Sequence, residues 1–257
     1  MTISLPVLAF LFFAVAGLYA AVGFGGGSTY IALLALSGMD YRLIPLIALT
    51  CNIIVVSGGT LRFQLRKLID WSRIWPLLLL SVPAAWLGGS LAIDRNLFLL
   101  LLGVSLAMAS LLLFAESWLQ NTRLTSAGDL ARKAWFLPLT GAAIGLLSGM
   151  VGIGGGIFLA PILLLANWAD SRRVAAIASV FILVNSVSGL TGQLSKSGWG
   201  QGGQDILSYW PLFVAVLLGG QIGSHLASKA LPETWIKRMT AVLVLYVALR
   251  IFWQQAS

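Results

Sequence analysis

Two clusters of glycine interrupt two long apolar runs, and this feature limits the fold more than any other. Gly23-Phe24-Gly25-Gly26-Gly27-Ser28 lies inside the run 5–36, and Gly152-Ile153-Gly154-Gly155-Gly156-Ile157 inside the run 137–166. Without the glycines each run would read as one continuous membrane helix. Four glycines in five residues cost a helix several kcal/mol, at roughly 0.8–1.0 kcal/mol each relative to alanine. In lipid, unwound backbone is tolerated only where it is buried in protein or lines a cavity. Breaks at matching points of two halves point to the binding site of a transporter. The two breaks are therefore read as one substrate site built twice.

Composition fixes the class. Of 257 residues 59% are hydrophobic and 9% charged, against about 25% charged in soluble domains. The chain is expected to be an all-α integral membrane protein with many spans. Residues 1–6 carry no positive charge, so the first apolar segment is read as part of the fold and not as a cleaved leader. Cys51 is the only cysteine, which excludes an intrachain disulfide. The net charge of +8 sits in short loops, where attraction to anionic lipid explains it and nucleic acid is not needed.

Apolar segments fall at 5–22, 28–37, 43–60, 75–92, 97–114, 134–150, 156–167, 173–193, 209–228 and 236–253. Those of about 18–20 residues match a bilayer core. The segments 28–37 and 156–167 are too short and read as half-helices. Most tryptophans lie near segment ends, as an interfacial belt requires; Trp86 does not, and packing is its only available role. The order of landmarks repeats. Gly23 to Gly27 aligns with Gly152 to Gly156 at an offset of 129, and Trp75-Pro76 with Trp210-Pro211 at 135. Three parts are expected: a first repeat over 1–115, a polar cytoplasmic linker over 116–133 and a second repeat over 134–257.

Charge suggests how the halves are oriented. If each broken run crosses once, Lys and Arg divide almost evenly between the two sides. If each run turns back at its glycines, 12 basic residues share one side and only Arg42, Arg95 and Lys196 face them. The positive-inside rule favours the second arrangement. It predicts inverted repeats with re-entrant or half helices, and places the loops 61–74, 116–133, 168–173 and 229–238 in the cytoplasm.

The chemistry expected at the breaks is anion binding. Half-helices starting at Gly27-Ser28-Thr29 and at Gly156 offer unpaired N–H groups and the positive ends of their dipoles. Two such termini facing one cavity would hold an anion with no buried Lys or Arg. The candidate substrate-binding residues are Gly23, Gly25, Gly26, Gly27, Ser28, Thr29, Gly152, Gly154, Gly155 and Gly156, with Asn52 and Asn185 as hydrogen-bonding partners from the next spans. Ser179, Ser186 and Ser188 also lie at membrane depth, where hydroxyls commonly join helices. Close helix packing suits Gly17, Gly88, Gly145, Gly219 and Gly223 better than a binding role. His225, the only histidine, is a candidate for proton coupling. No Asp or Glu lies within a predicted span, so the carboxylate relay of a proton pump is missing. One histidine and one cysteine leave nothing for a metal site or an activated nucleophile. The chain is expected to be no enzyme and to need no cofactor.

The paired motifs, Gly17-x5-Gly23-Phe24-Gly25-Gly26-Gly27 and Gly145-x3-Gly149-x2-Gly152-Ile153-Gly154-Gly155-Gly156-x4-Pro161, resemble the sulfite exporter TauE/SafE family. The likeness extends over nearly the whole chain, including the duplication and the basic loop from Arg62 to Arg73. It implies a bacterial inner-membrane carrier for sulfite or small sulfonates, most simply an exporter. The first half has Ala32 where the second has Pro161. On the residues alone an anion channel, or an uptake carrier for another small anion, stands as the alternative. Oligomeric state is unassigned.

Overall fold

The computed structural model describes residues 3–22, 24–119, 135–166, 168–226 and 233–256. It is all-helical, and among the described residues there is no strand. In chain order the helices are α1 (Leu5–Val22), α2 (Gly27–Leu36), α3 (Leu43–Leu65), α4 (Trp71–Ser90) and α5 (Arg95–Leu119). There follow α6 (Phe136–Val151), α7 (Gly156–Leu165), α8 (Ser171–Ser197), α9 (Trp199–Ser208), α10 (Trp210–Leu226) and α11 (Glu233–Ala256).

The two half-helices are related by the sequence offset at both ends. Each has 10 residues, and each starts after a glycine in the left-handed region, Gly26 at φ 79° and Gly155 at φ 81°. That conformation is open to glycine and strained for other residues. Pro161 leaves α7 the same length as α2. The first break doubles back. A straight continuation would put the Cα atoms of Phe12 and Tyr30 about 27 Å apart. Their rings instead stack with centroids 4.7 Å apart, and Tyr19 and Thr29 share a hydroxyl hydrogen bond of 2.8 Å. A Cβ on Gly26 would touch Val15, and one on Gly155 would touch Ile144. The second contact is the first shifted by the same offset, so both breaks fold against the helix before them.

Packing repeats the same correspondence. The most extensive contacts are α4 with α6 and α1 with α10, which exchange when the halves are exchanged. Both are backbone-close crossings. Gly141, Gly145 and Gly149 lie on the carbonyls of Leu77, Ser81 and Ala85, while Gly219 and Gly223 lie on those of Phe13 and Gly17. Four-residue spacing keeps these glycines on one helix face. They allow the close approach that van der Waals packing in lipid requires. α3 packs on α8 and α5 on α11, each a helix against its own counterpart.

Loop contacts sort the helix ends into two sets. The Arg73 guanidinium sits over the Trp168 ring at 5.6 Å, so the loops before α4 and before α8 share one end. At the other end Tyr41 meets Phe98 at 5.6 Å, and Lys196 Nζ donates to the Leu91 carbonyl at 3.3 Å. α3 and α8 span about 34 and 40 Å at 1.5 Å per residue. They run in opposite directions between these ends, with Thr60 near the end of one bonded to Ser179 near the start of the other at 2.8 Å.

Large apolar side chains are exposed on the outside, and a few neutral polar side chains are buried in the apolar interior. Leu79, Leu111, Leu218, Tyr246 and Trp253 are among the exposed large side chains. Among the described residues α3, α5 and α8 are the three helices long and apolar enough to cross a membrane, and a bent pair, Gly202–Ser208 with Trp210–Gly223, makes a fourth if taken as one span. Trp86 is exposed on this outer surface rather than packed inside. Two elements differ from the sequence reading. α5 runs on to Leu119, into the stretch assigned to the polar linker, whose residues 120–133 lie outside those described. Residues 199–208 form a helix, α9, despite Gly200, Gly202 and Gly203, because α9 packs against α8 and α3.

Candidate functional site

The two breaks meet inside the protein. Residues 25–34 and 151–156 are buried. The first residue of α2, Gly27, lies against the Ile153 carbonyl of the other break, where any side chain would collide. Sequence reasoning placed the two clusters in one site; contact between Gly27 and Ile153 is what the fold supplies.

Asn52 joins them. Its side chain is 0% exposed, and its Nδ2 donates to the Ile153 carbonyl at 3.1 Å. A Cβ on Gly25 would come within 2.7 Å of Asn52 Oδ1, one on Gly27 would collide with Nδ2 and come within 2.9 Å of Oδ1, and one on Gly154 would come within 2.6 Å of Nδ2. Three glycines, two from one break and one from the other, thus enclose one amide. Ser186 Oγ approaches from α8, at 3.1 Å from the Gly154 position.

The helix termini supply donors. The Gly26 carbonyl accepts from Thr29 and Tyr30, both at 3.0 Å, and the Gly155 carbonyl from Phe158 and Leu159, both at 3.1 Å. The N–H groups of Gly27 and Ser28, and of Gly156 and Ile157, are then the first-turn donors without an intrahelical acceptor. Among the described residues every buried polar side chain is neutral. Negative charge placed here would therefore be met by backbone N–H groups and helix dipoles. Those residues hold no group of three or more potential metal ligands.

The other candidates sort by contact. Ser28 is buried at α2, and the Thr29 hydroxyl is engaged by Tyr19. Gly152, at φ 91°, packs on Pro45, and Gly156 on Ile182. Asn185 does not repeat the role of Asn52. Its Nδ2 donates to the Phe181 carbonyl one turn back on α8 at 2.8 Å. Ser179 and Ser188 join helices, bonding Thr60 and the Val82 carbonyl. Gly23 lies outside the described residues. His225 is in the last turn of α10, with its side chain outside them. Sequence reasoning missed Tyr19, Tyr30 and the Ile153 carbonyl, none of which carries a local signal.

The family model for the sulfite exporter TauE/SafE matches residues 8–251. The chain belongs to the TauE/SafE family. Among its relatives is "Probable membrane transporter protein y4hK" of Sinorhizobium fredii strain NGR234, 35% identical over 96% of this chain and 97% of the relative. "Probable membrane transporter protein MJ0441" of Methanocaldococcus jannaschii is 30% identical over 75% of this chain and 73% of the relative. "Probable membrane transporter protein MamO" of Paramagnetospirillum magneticum is 24% identical over 88% of this chain, but over 41% of that longer protein. No solved structure matches the chain. This TauE/SafE member is a multi-pass membrane transporter and not an enzyme.

Proposed function

We propose that this chain carries a small sulfur oxyanion, sulfite or an organosulfonate, out of the cytoplasm across the bacterial inner membrane. The observation that carries the reading is the meeting of Gly27 with the Ile153 carbonyl, with Asn52 bonded across the junction. Two half-helix N-termini and their neutral surroundings suit a small anion, and the family's name supplies the sulfur oxyanion. The binding residues are Gly23, Gly25, Gly26, Gly27, Ser28, Thr29 and Asn52 with Gly152, Gly154, Gly155, Gly156 and Asn185; His225 is the candidate for proton coupling.

Two inverted repeats, 1–115 and 134–257, rock against each other to expose the site alternately. The opposite running directions of α3 and α8 support the inversion. The basic loops 61–74, 116–133, 168–173 and 229–238 lie in the cytoplasm. The test is counterflow of labelled sulfite in proteoliposomes, competed by sulfate, sulfoacetate, acetate and chloride. Saturable exchange blocked by sulfur oxyanions but not by chloride is the expected result. Large unitary currents would replace the carrier by a channel, and no sulfite or sulfonate flux from folded protein would remove the substrate assignment.

A further inference from the structure

Asn52 has one amide atom placed and one unanswered. The Ile153 carbonyl needs a donor, which turns Nδ2 toward the second break and Oδ1 toward the first. Oδ1 is buried without a hydrogen-bond partner. It faces the position of Gly25, just before the N-terminus of α2, and lies within 2.9 Å of the Gly27 position, which also borders Nδ2. A buried acceptor left unpaired is unfavourable, so a ligand that supplies a donor there gains from it. The donor's character follows from its neighbours. A metal cation would sit against the positive end of the α2 dipole. A ligand carrying both a negative charge and an O–H suits both groups. Its charged oxygens take the N–H groups of Gly27 and Ser28, and its hydroxyl donates to Oδ1.

We propose that Asn52 Oδ1 accepts a hydrogen bond from the substrate, so that sulfite is carried as the singly protonated oxyanion, hydrogen sulfite, rather than as the dianion, and in preference to a sulfonate head group. The inference rests on the sulfur-oxyanion reading above and sharpens it. The proton crosses on the substrate and is released into the bulk on the far side. This accounts for a site in which every buried polar side chain of the described residues is neutral.

The test uses wild-type protein in vesicles with a trapped pH dye, the membrane voltage clamped, and an inward sulfite gradient near the pH at which sulfite takes up its proton. Flux through protein-free vesicles is subtracted, since sulfur dioxide leaks through lipid. Hydrogen sulfite sheds part of its protons inside, so protein-dependent influx should acidify the interior. Alkalinisation would mean that the dianion enters, and would overturn the proposal while leaving sulfite transport in place. A requirement for external sodium would put a cation at Oδ1 and overturn it likewise. Asn52→Leu should lower sulfite flux roughly tenfold and methanesulfonate flux less, because a sulfonate has no O–H to lose. Equal loss of both would overturn the proposal; if this variant does not fold, the wild-type pH signal still decides. Sulfonate flux without sulfite flux would overturn the proposal alone. Folded protein that moves neither would end the functional reading with it.

Discussion

Asn52 on α3, packed against the first glycine break, donates to the Ile153 carbonyl of the second at 3.1 Å, 101 residues along the chain. Removing that donor leaves a buried carbonyl without it. Asn52→Ala should therefore cost about 1–3 kcal/mol of stability, read as a lower thermal midpoint in detergent, together with a marked loss of flux. An unchanged midpoint would mean that the bond adds nothing to the junction.

The glycines around Asn52 should tolerate no side chain. Gly154 adds a φ of 84° to the collision with Asn52, and Gly25 stands 3.0 Å from Val56 Cγ1 by the same measure. Gly25→Val and Gly154→Val should each abolish flux while membrane insertion stays near normal. Gly59, on α3 with nothing within 4 Å of its Cβ position, is the control. Gly59→Ala should keep full flux. Full flux in both valine variants would show that the breaks do not form the site.

A different outcome is expected at the helix crossings. Gly145 rests on the Ser81 backbone and Gly219 on the Phe13 backbone, where the neighbour cannot move aside as a side chain can. Gly145→Leu and Gly219→Leu should each cost about 3 kcal/mol and appear as aggregated or low-yield protein. Folded protein with impaired flux would instead assign these glycines to the transport path.

Orientation can be read with single cysteines, because Cys51 is the only one to remove. In a Cys51→Ala background, Arg95→Cys and Lys196→Cys should react with an impermeant maleimide added outside cells. Arg66→Cys and Arg173→Cys should react only after permeabilisation. The reverse pattern would turn the molecule over, and labelling of all four from outside would contradict the two-ended arrangement of the loops.

Much of this was legible along the chain. The clusters at Gly23 to Gly27 and Gly152 to Gly156 announce breaks because helix propensity is a local property of consecutive residues. Their fixed offset gave the half-helices their matching starts at Gly27 and Gly156. The packing role of Gly145 and Gly219 was equally readable from their spacing within intact helices. Asn52 and Asn185 look like a matched pair in sequence, and each keeps a buried Oδ1 without a partner, but their amide donors reach differently. Asn52 reaches 101 residues along the chain, while Asn185 bonds its own helix four residues back. α9 was missed because its glycines argue locally against a helix that tertiary packing then supports.

The sequence by itself determined the membrane class and the positions of both breaks, since each depends on composition or on short-range backbone preference. Only the tertiary structure decided that Tyr30 stacks on Phe12 of α1, that Gly27 meets Ile153, and which way the Asn52 amide faces. Those outcomes depend on contacts between segments far apart in the chain. Such contacts are fixed by how whole helices pack, and no local pattern encodes them.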